Sequence, residues 1–148
     1  MTPSLFLRLF GVMVLALLPG CVDAPTDPRA AARLFFDHLE RGEADAVWGL
    51  LIPSDQTRLR AHQAQLAAAE GRAPSEDPSR ILRDFGIRQL GRVDGVTVAS
   101  RPGDSVEVRV TLKEGESATF RMDKQPTGVW KLGLLDALEP SATSTEAG

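Results

Sequence analysis

Two histidines, one cysteine and a set of charged residues on alternating positions are the side chains here that could do chemistry, and the chain contains no tyrosine. His38 stands three residues after Phe35 and four after Leu34, so on a helix it shares their apolar side while adjacent Asp37 faces away. The two cannot form a local acid–base pair. His62 follows Leu59 by three and precedes Leu66 by four, which again predicts the apolar side of its helix. A histidine in that setting is more often half-buried and bonded to a carbonyl than a catalyst or ligand. His38 is the better candidate of the two. His38-Leu39-Glu40 would set its two potential metal ligands about 200° apart around a helix, and no second His or Cys cluster supports them. With Cys21 as the single cysteine, neither a cysteine-rich metal site nor an intramolecular disulfide can form. No GxSxG nucleophile elbow and no phosphate-cradling glycine loop occurs. The sequence therefore predicts no catalytic residue, no metal and no cofactor.

Cys21 is different, because of where it lies. Leu5 to Leu18 is apolar except for Arg8 and Gly11 and ends in Leu18-Pro19-Gly20-Cys21. The run is short for a hydrocarbon core of roughly 30 Å, which takes about 20 helical residues. It reads as the apolar region of a signal peptide. Leu18, Gly20 and Cys21 resemble the bacterial lipobox, with Pro19 departing from it. The resemblance implies loss of residues 1–20 and acylation of Cys21, with residues 21–26 as a short tether. Acyl chains contribute about 0.8 kcal/mol per buried methylene, so two or more make attachment effectively permanent. Val22 rather than aspartate after the cysteine implies, by resemblance to enteric sorting rules, an outer-membrane address facing the periplasm. An ordinary signal peptide with a chance cysteine, or an uncleaved anchor, is the alternative.

The formal net charge is -3, and removing residues 1–20 leaves 16 basic against 20 acidic side chains. That balance argues against nucleic acid, which needs a concentrated basic face. Arginine outnumbers lysine 14 to 3, which fits the codon bias of a GC-rich bacterial genome.

The elements that must position these residues follow from period and punctuation. Asp27-Pro28 opens a first helix that Gly42 closes, with Ala31, Leu34, Phe35 and Leu39 at helical spacing. A second short helix carries Val47, Trp48, Leu50 and Leu51 and stops before Pro53. A third, capped by Ser54 or Asp55, runs to Glu70 with a thin apolar stripe that predicts a surface position. Asp77-Pro78 repeats the cap signal before a brief turn bearing Ile81, Leu82 and Phe85. After Gly86 the period becomes two. Val96 and Val98, then Val106 to Leu112, then Ala118 to Met122, then Trp130 to Leu134 alternate with polar neighbours, separated by Gly- and Pro-rich turns. Residues 139–148 lack an apolar pattern and predict a disordered tail. The expected class is α+β, with N-terminal helices on a curved antiparallel sheet of about four strands in one domain over residues 27–138.

The opening Ala31-Ala32-Arg33-Leu34-Phe35-Phe36, the Gly42-Glu43-Ala44-Asp45 break, the Trp48/Leu50/Leu51/Pro53 sequel and Gly128-Val129-Trp130-Lys131-Leu132 resemble the NTF2-like, cystatin-related superfamily. More narrowly, the chain looks like lipoproteins of unknown function built on that cone. The resemblance implies a pocket between helices and sheet, which here would be lined by Phe35, Val108, Phe120 and Trp130 with His38 at hand. Ketosteroid-isomerase-like relatives use a tyrosine this chain lacks. Three functions stay open. The leading one is a non-catalytic, lipid-anchored interaction module of the cell envelope, whose partners are the membrane and an envelope protein. The second is a carrier or sensor of a small apolar ligand. The third is a SnoaL-like lyase or isomerase using His38 with a carboxylate from the sheet. Glu107 and Arg121, or Arg109 and Asp123, would pair across strands on the polar sheet face, depending on register.

Overall fold

The computed structural model describes residues 25–87, 92–99 and 103–138; the apolar leader, Cys21 and the C-terminal tail lie outside them. Helices α1 (Pro28–Arg41), α2 (Ala44–Leu50), α3 (Pro53–Ala69) and α4 (Pro78–Asp84) precede strands β1 (Val93–Val98), β2 (Ser105–Leu112), β3 (Ser117–Lys124) and β4 (Trp130–Gly133), and a single turn α5 (Leu135–Leu138) ends the order. The fold is α+β, as the change of period predicts.

Local chemistry accounts for the helix ends. Asp27 accepts the Ala30 N–H at 2.8 Å and Asp77 accepts the Ser79 N–H at 3.0 Å, each directly before a proline. Gly42 takes φ 72°, a conformation that costs an L-residue with a Cβ more than glycine. There the Gly42 and Glu43 N–H groups donate to Leu39 and His38 carbonyls at 3.1 and 3.0 Å, closing the last turn of α1.

The four strands form one antiparallel meander, β1-β2-β3-β4, with a bulge between Val93 and Gly95. One face carries Val96, Val106, Val108, Val110, Phe120, Met122, Trp130 and Leu132, all buried. α1 lies on that face, touching β1, β2 and β4, and contributes Ala31, Ala32, Phe35 and Phe36. Phe36 stacks edge-on against Phe35 and Phe120, with centroids 5.2 and 5.4 Å apart. Such pairs add to the area they bury.

Three features depart from expectation. The third helix is capped at Ile52 with Pro53 in its first turn, and neither Ser54 nor Asp55 serves as its cap. Its buried stripe is Asp55, Leu59, Gln63 and Ala67, a strict four-residue ladder in which two members are polar. Apolar counting missed it for that reason. His62 is consequently exposed rather than on the buried side, its ring edge-on to Phe85 at 5.2 Å. The last strand ends at Gly133, not Leu134, and the chain turns into α5. Between α2 and α3, Leu51 bridges in parallel to Leu132 while Ile52 N–H donates to the Leu132 carbonyl at 3.0 Å. This link covers part of the β4 edge.

Candidate functional site

The outer face of the sheet carries the residues that alternate with the core. Register places Glu107 opposite Arg121 and Ser105 opposite Asp123, while Arg109 faces Thr119. The first of the two expected charge registers is therefore the real one. Ser105 Oγ donates to Asp123 Oδ1 at 2.7 Å, and Arg121 reaches Asp123 at 3.1 Å and Asp136 at 3.3 Å. Asp136 also accepts from Arg58 at 3.3 Å. A chain of alternating charge thus crosses from α3 over α5 to the sheet.

Asp55 supports that chain from inside. It is 1% exposed, and its Oδ2 accepts the Leu134 and Leu135 N–H groups at 2.6 and 3.1 Å. Those donors begin α5, whose first N–H groups have no partner within the helix. A carboxylate there meets both the orphan donors and the positive end of the peptide dipoles. Arg58 stands 3.9 Å away on its other side. The result is an open groove of about 660 Å³ between β2, β3 and α5, lined by Ser105, Glu107, Thr119, Arg121, Asp136 and Ala137 together with the edges of Val106 and Phe120.

The residues expected to line an interior pocket sit elsewhere. Phe35 and Val108 are 0% exposed, Phe120 2% and Trp130 5%. A side chain facing a space large enough for water would show surface to it, so Phe35 and Val108 are packed against protein on all sides, and Phe120 shows only an edge, to the outer groove. The small recess under α1, α2 and α4, lined by Leu39, Gly42, Ala44, Val47, Ser79 and Leu82, measures about 20 Å³. That is room for a single water, not for a ligand. Trp130 directs its indole N–H to the Thr26 carbonyl at 2.9 Å.

His38 is half-buried at the end of α1, where its Nδ1 bonds Glu43 and lies 3.2 Å from Arg41. Arg41 is 3.4 Å from the same Glu43 carboxylate. The carboxylate beside His38 therefore comes from the α1–α2 junction and not from the sheet. The His38 hydrogen bond holds Glu43 below its ordinary value of 4.5, partial burial opposes this and the Arg41 charge assists it. Because the folded value is lowered, the contact contributes above the ordinary value and is lost as pH falls through the lowered one. In a carboxyl-carbon NMR titration Glu43 is expected to titrate below 4.5 and to move back toward it in His38→Ala. A wild-type value at or above the ordinary one would mean the contact does not form in solution.

A second polar cluster lies under the α3–α4 loop. Arg72 bonds Glu70 and Asp84, the latter at 3.1 Å, and Gln63 Oε1 accepts the Ser75 N–H at 2.9 Å. Burial alone would raise Asp84; the hydrogen bond and charge of Arg72 outweigh it and lower the carboxyl. Gln63 Nε2 and Arg72 Nη1 are buried without a hydrogen-bond partner among the described residues.

Among the described residues no group of three or more His, Cys, Asp or Glu could hold a metal ion, and no helix is long and apolar enough to cross a membrane. Compared with protein-family models, curated proteins and solved structures, the chain matches none of them.

Proposed function

We propose that this protein is a non-catalytic lipoprotein of the bacterial cell envelope, anchored through Cys21, that works as an interaction module through the outer face of its sheet. One observation carries the choice among the three functions: the interior is closed around Phe35 and Val108, while the groove of about 660 Å³ opens on the outside between Glu107, Arg121 and Asp136. A carrier needs internal surface for its ligand. An enzyme of the related kind needs an acid and a base converging on one substrate atom, and His38 meets Glu43 at the α1–α2 junction instead. The apolar run ending in Cys21 supports the anchor, and the sequence resemblance to NTF2-like lipoproteins is an expectation to which the helix-on-sheet layout, common to many α+β domains, adds nothing specific.

Native mass spectrometry of the full chain, extracted from its own bacterial membranes in mild detergent, tests this. The expected species begins at Cys21, carries acyl groups and retains no further small molecule. A retained ligand of a few hundred daltons would replace the module with a carrier, and an unacylated chain would remove the anchor.

A further inference from the structure

The bond between Trp130 and Thr26 bears on how such a protein would sit on its membrane. Thr26 lies five residues after Cys21, and its carbonyl accepts the Trp130 indole N–H at 2.9 Å. Trp130 pairs with Lys124, so the bond fastens the incoming chain to the β3–β4 turn end of the sheet. That turn is itself closed by Gly128 N–H and Gln125 N–H donating to the Gln125 and Val129 carbonyls, both at 2.8 Å. The β2–β3 turn, Lys113 to Glu116, is at the opposite end, because β3 runs antiparallel to both neighbours. α1 spans the same length, from Asp27 at the first end to Glu40, which pairs with Arg92 at 2.6 Å, at the other.

We propose that the domain stands with its β3–β4 turn on the phospholipid headgroups and its β2–β3 turn away from them, because the Thr26–Trp130 bond makes the tether too short for the domain to invert. The inference rests on the acylation of Cys21. Five Cα steps from Cys21 reach at most about 18 Å. The seven steps from Lys124 back to Ser117 rise about 24 Å at the spacing of an antiparallel strand. An inverted domain would hold Thr26 at least that far above the lipid, beyond the reach of its own anchor. Without the indole bond the chain would first be held at Asp27, by its cap on α1, and the tether would reach about 22 Å, close to the height of the sheet, so the bond turns a marginal limit into a clear one.

The exposed side chains at the β3–β4 end suit a headgroup layer and not hydrocarbon. They include Arg29, Asp104, Lys124 and Thr127, and the large exposed apolar side chain of the described residues, Leu138, follows β4 at the far end of its strand. In this stance the strands rise from the membrane, and the Glu107/Arg121/Asp136 groove opens sideways, toward a partner approaching along the bilayer.

The test uses the acylated full chain, reconstituted into phosphatidylethanolamine/phosphatidylglycerol vesicles that contain headgroup-nitroxide lipid. A fluorophore is attached through Thr127→Cys or through Glu114→Cys. Acylation blocks Cys21, so one label per chain is expected; two labels would refute the anchor, and with it the stance that rests on it, whereas one label with the wrong quenching pattern refutes the stance alone. Quenching at position 127 is expected to exceed that at 114 severalfold. Equal quenching at both positions, or stronger quenching at 114, would overturn the stance. Trp130→Phe keeps an aromatic, though smaller, ring and removes the N–H; it is expected to shrink the difference between the positions. An unchanged difference in that variant, with the fold intact by circular dichroism, would refute the role of the indole bond.

Discussion

Phe36→Ala is expected to destabilise the domain by about 4 kcal/mol, in the range found for large-to-small substitution of a buried phenylalanine. Phe36 is 5% exposed and bridges Phe35 on its own helix to Phe120 on β3, so no neighbour can move into its place without unpacking α1 from the sheet. A small domain has only about 5–15 kcal/mol in total, and for one of this size each kcal/mol shifts the melting temperature by roughly 4 °C. Urea denaturation followed by tryptophan fluorescence gives the loss, and binding of a hydrophobic dye should appear in the variant and not in the native protein. A loss below about 1.5 kcal/mol would mean that the ring has slack around it, and would return the apolar-carrier function to consideration.

Asp55→Ala should cost about 3 kcal/mol, because it removes two charge-assisted hydrogen bonds and leaves the buried Leu134 and Leu135 N–H groups unpaired. Arg58→Ala is the control: its guanidinium is 42% exposed and 3.9 Å from Asp55, a pairing worth under about 1 kcal/mol in water. Asp55→Asn should fall between them, since the amide oxygen can still accept. Comparable losses in Asp55→Ala and Arg58→Ala would show that the ion pair, and not the capping of α5, is what Asp55 contributes. Loss of α5 also removes Asp136 from Arg121, so the outer groove should lose one wall in the same variant.

These two positions differ in how far they could be read from the chain alone. Phe36 stands in an apolar run of a helix whose two ends are marked by Asp27-Pro28 and Gly42, but the spacing puts Ala31, Leu34, Phe35 and Leu39 on its apolar side, whereas the buried set is Ala31, Ala32, Phe35 and Phe36. Asp55 follows a proline and a serine, which reads as a helix cap, a local role for a short polar side chain. Its actual partners lie 79 and 80 residues away. Nothing in the spacing of Pro53-Ser54-Asp55 announces that, and the same holds for Gln63, which completes the buried ladder of α3 although its type suggests the surface. The two histidines illustrate the limit from the other side. Helical spacing places both on apolar faces, yet α3 turns its Asp55/Leu59/Gln63/Ala67 side inward and leaves His62 out.

What the sequence determined by itself is what depends on near neighbours. The caps of α1 and α4, the stop of α1, the change from helical to alternating period, the β2–β3 and β3–β4 turns and the polar character of one sheet face are each encoded within a few residues, where sterics and hydrogen-bond chemistry leave few choices. The tertiary structure decided what depends on distant partners. It chose Glu107 against Arg121 over Arg109 against Asp123, seated Asp55 under α5, closed the core around Phe35 and Val108 and fastened Thr26 to Trp130. Each of these is a contact between segments whose meeting is set by how the whole core packs, and packing is a property of shape in three dimensions that no local pattern carries.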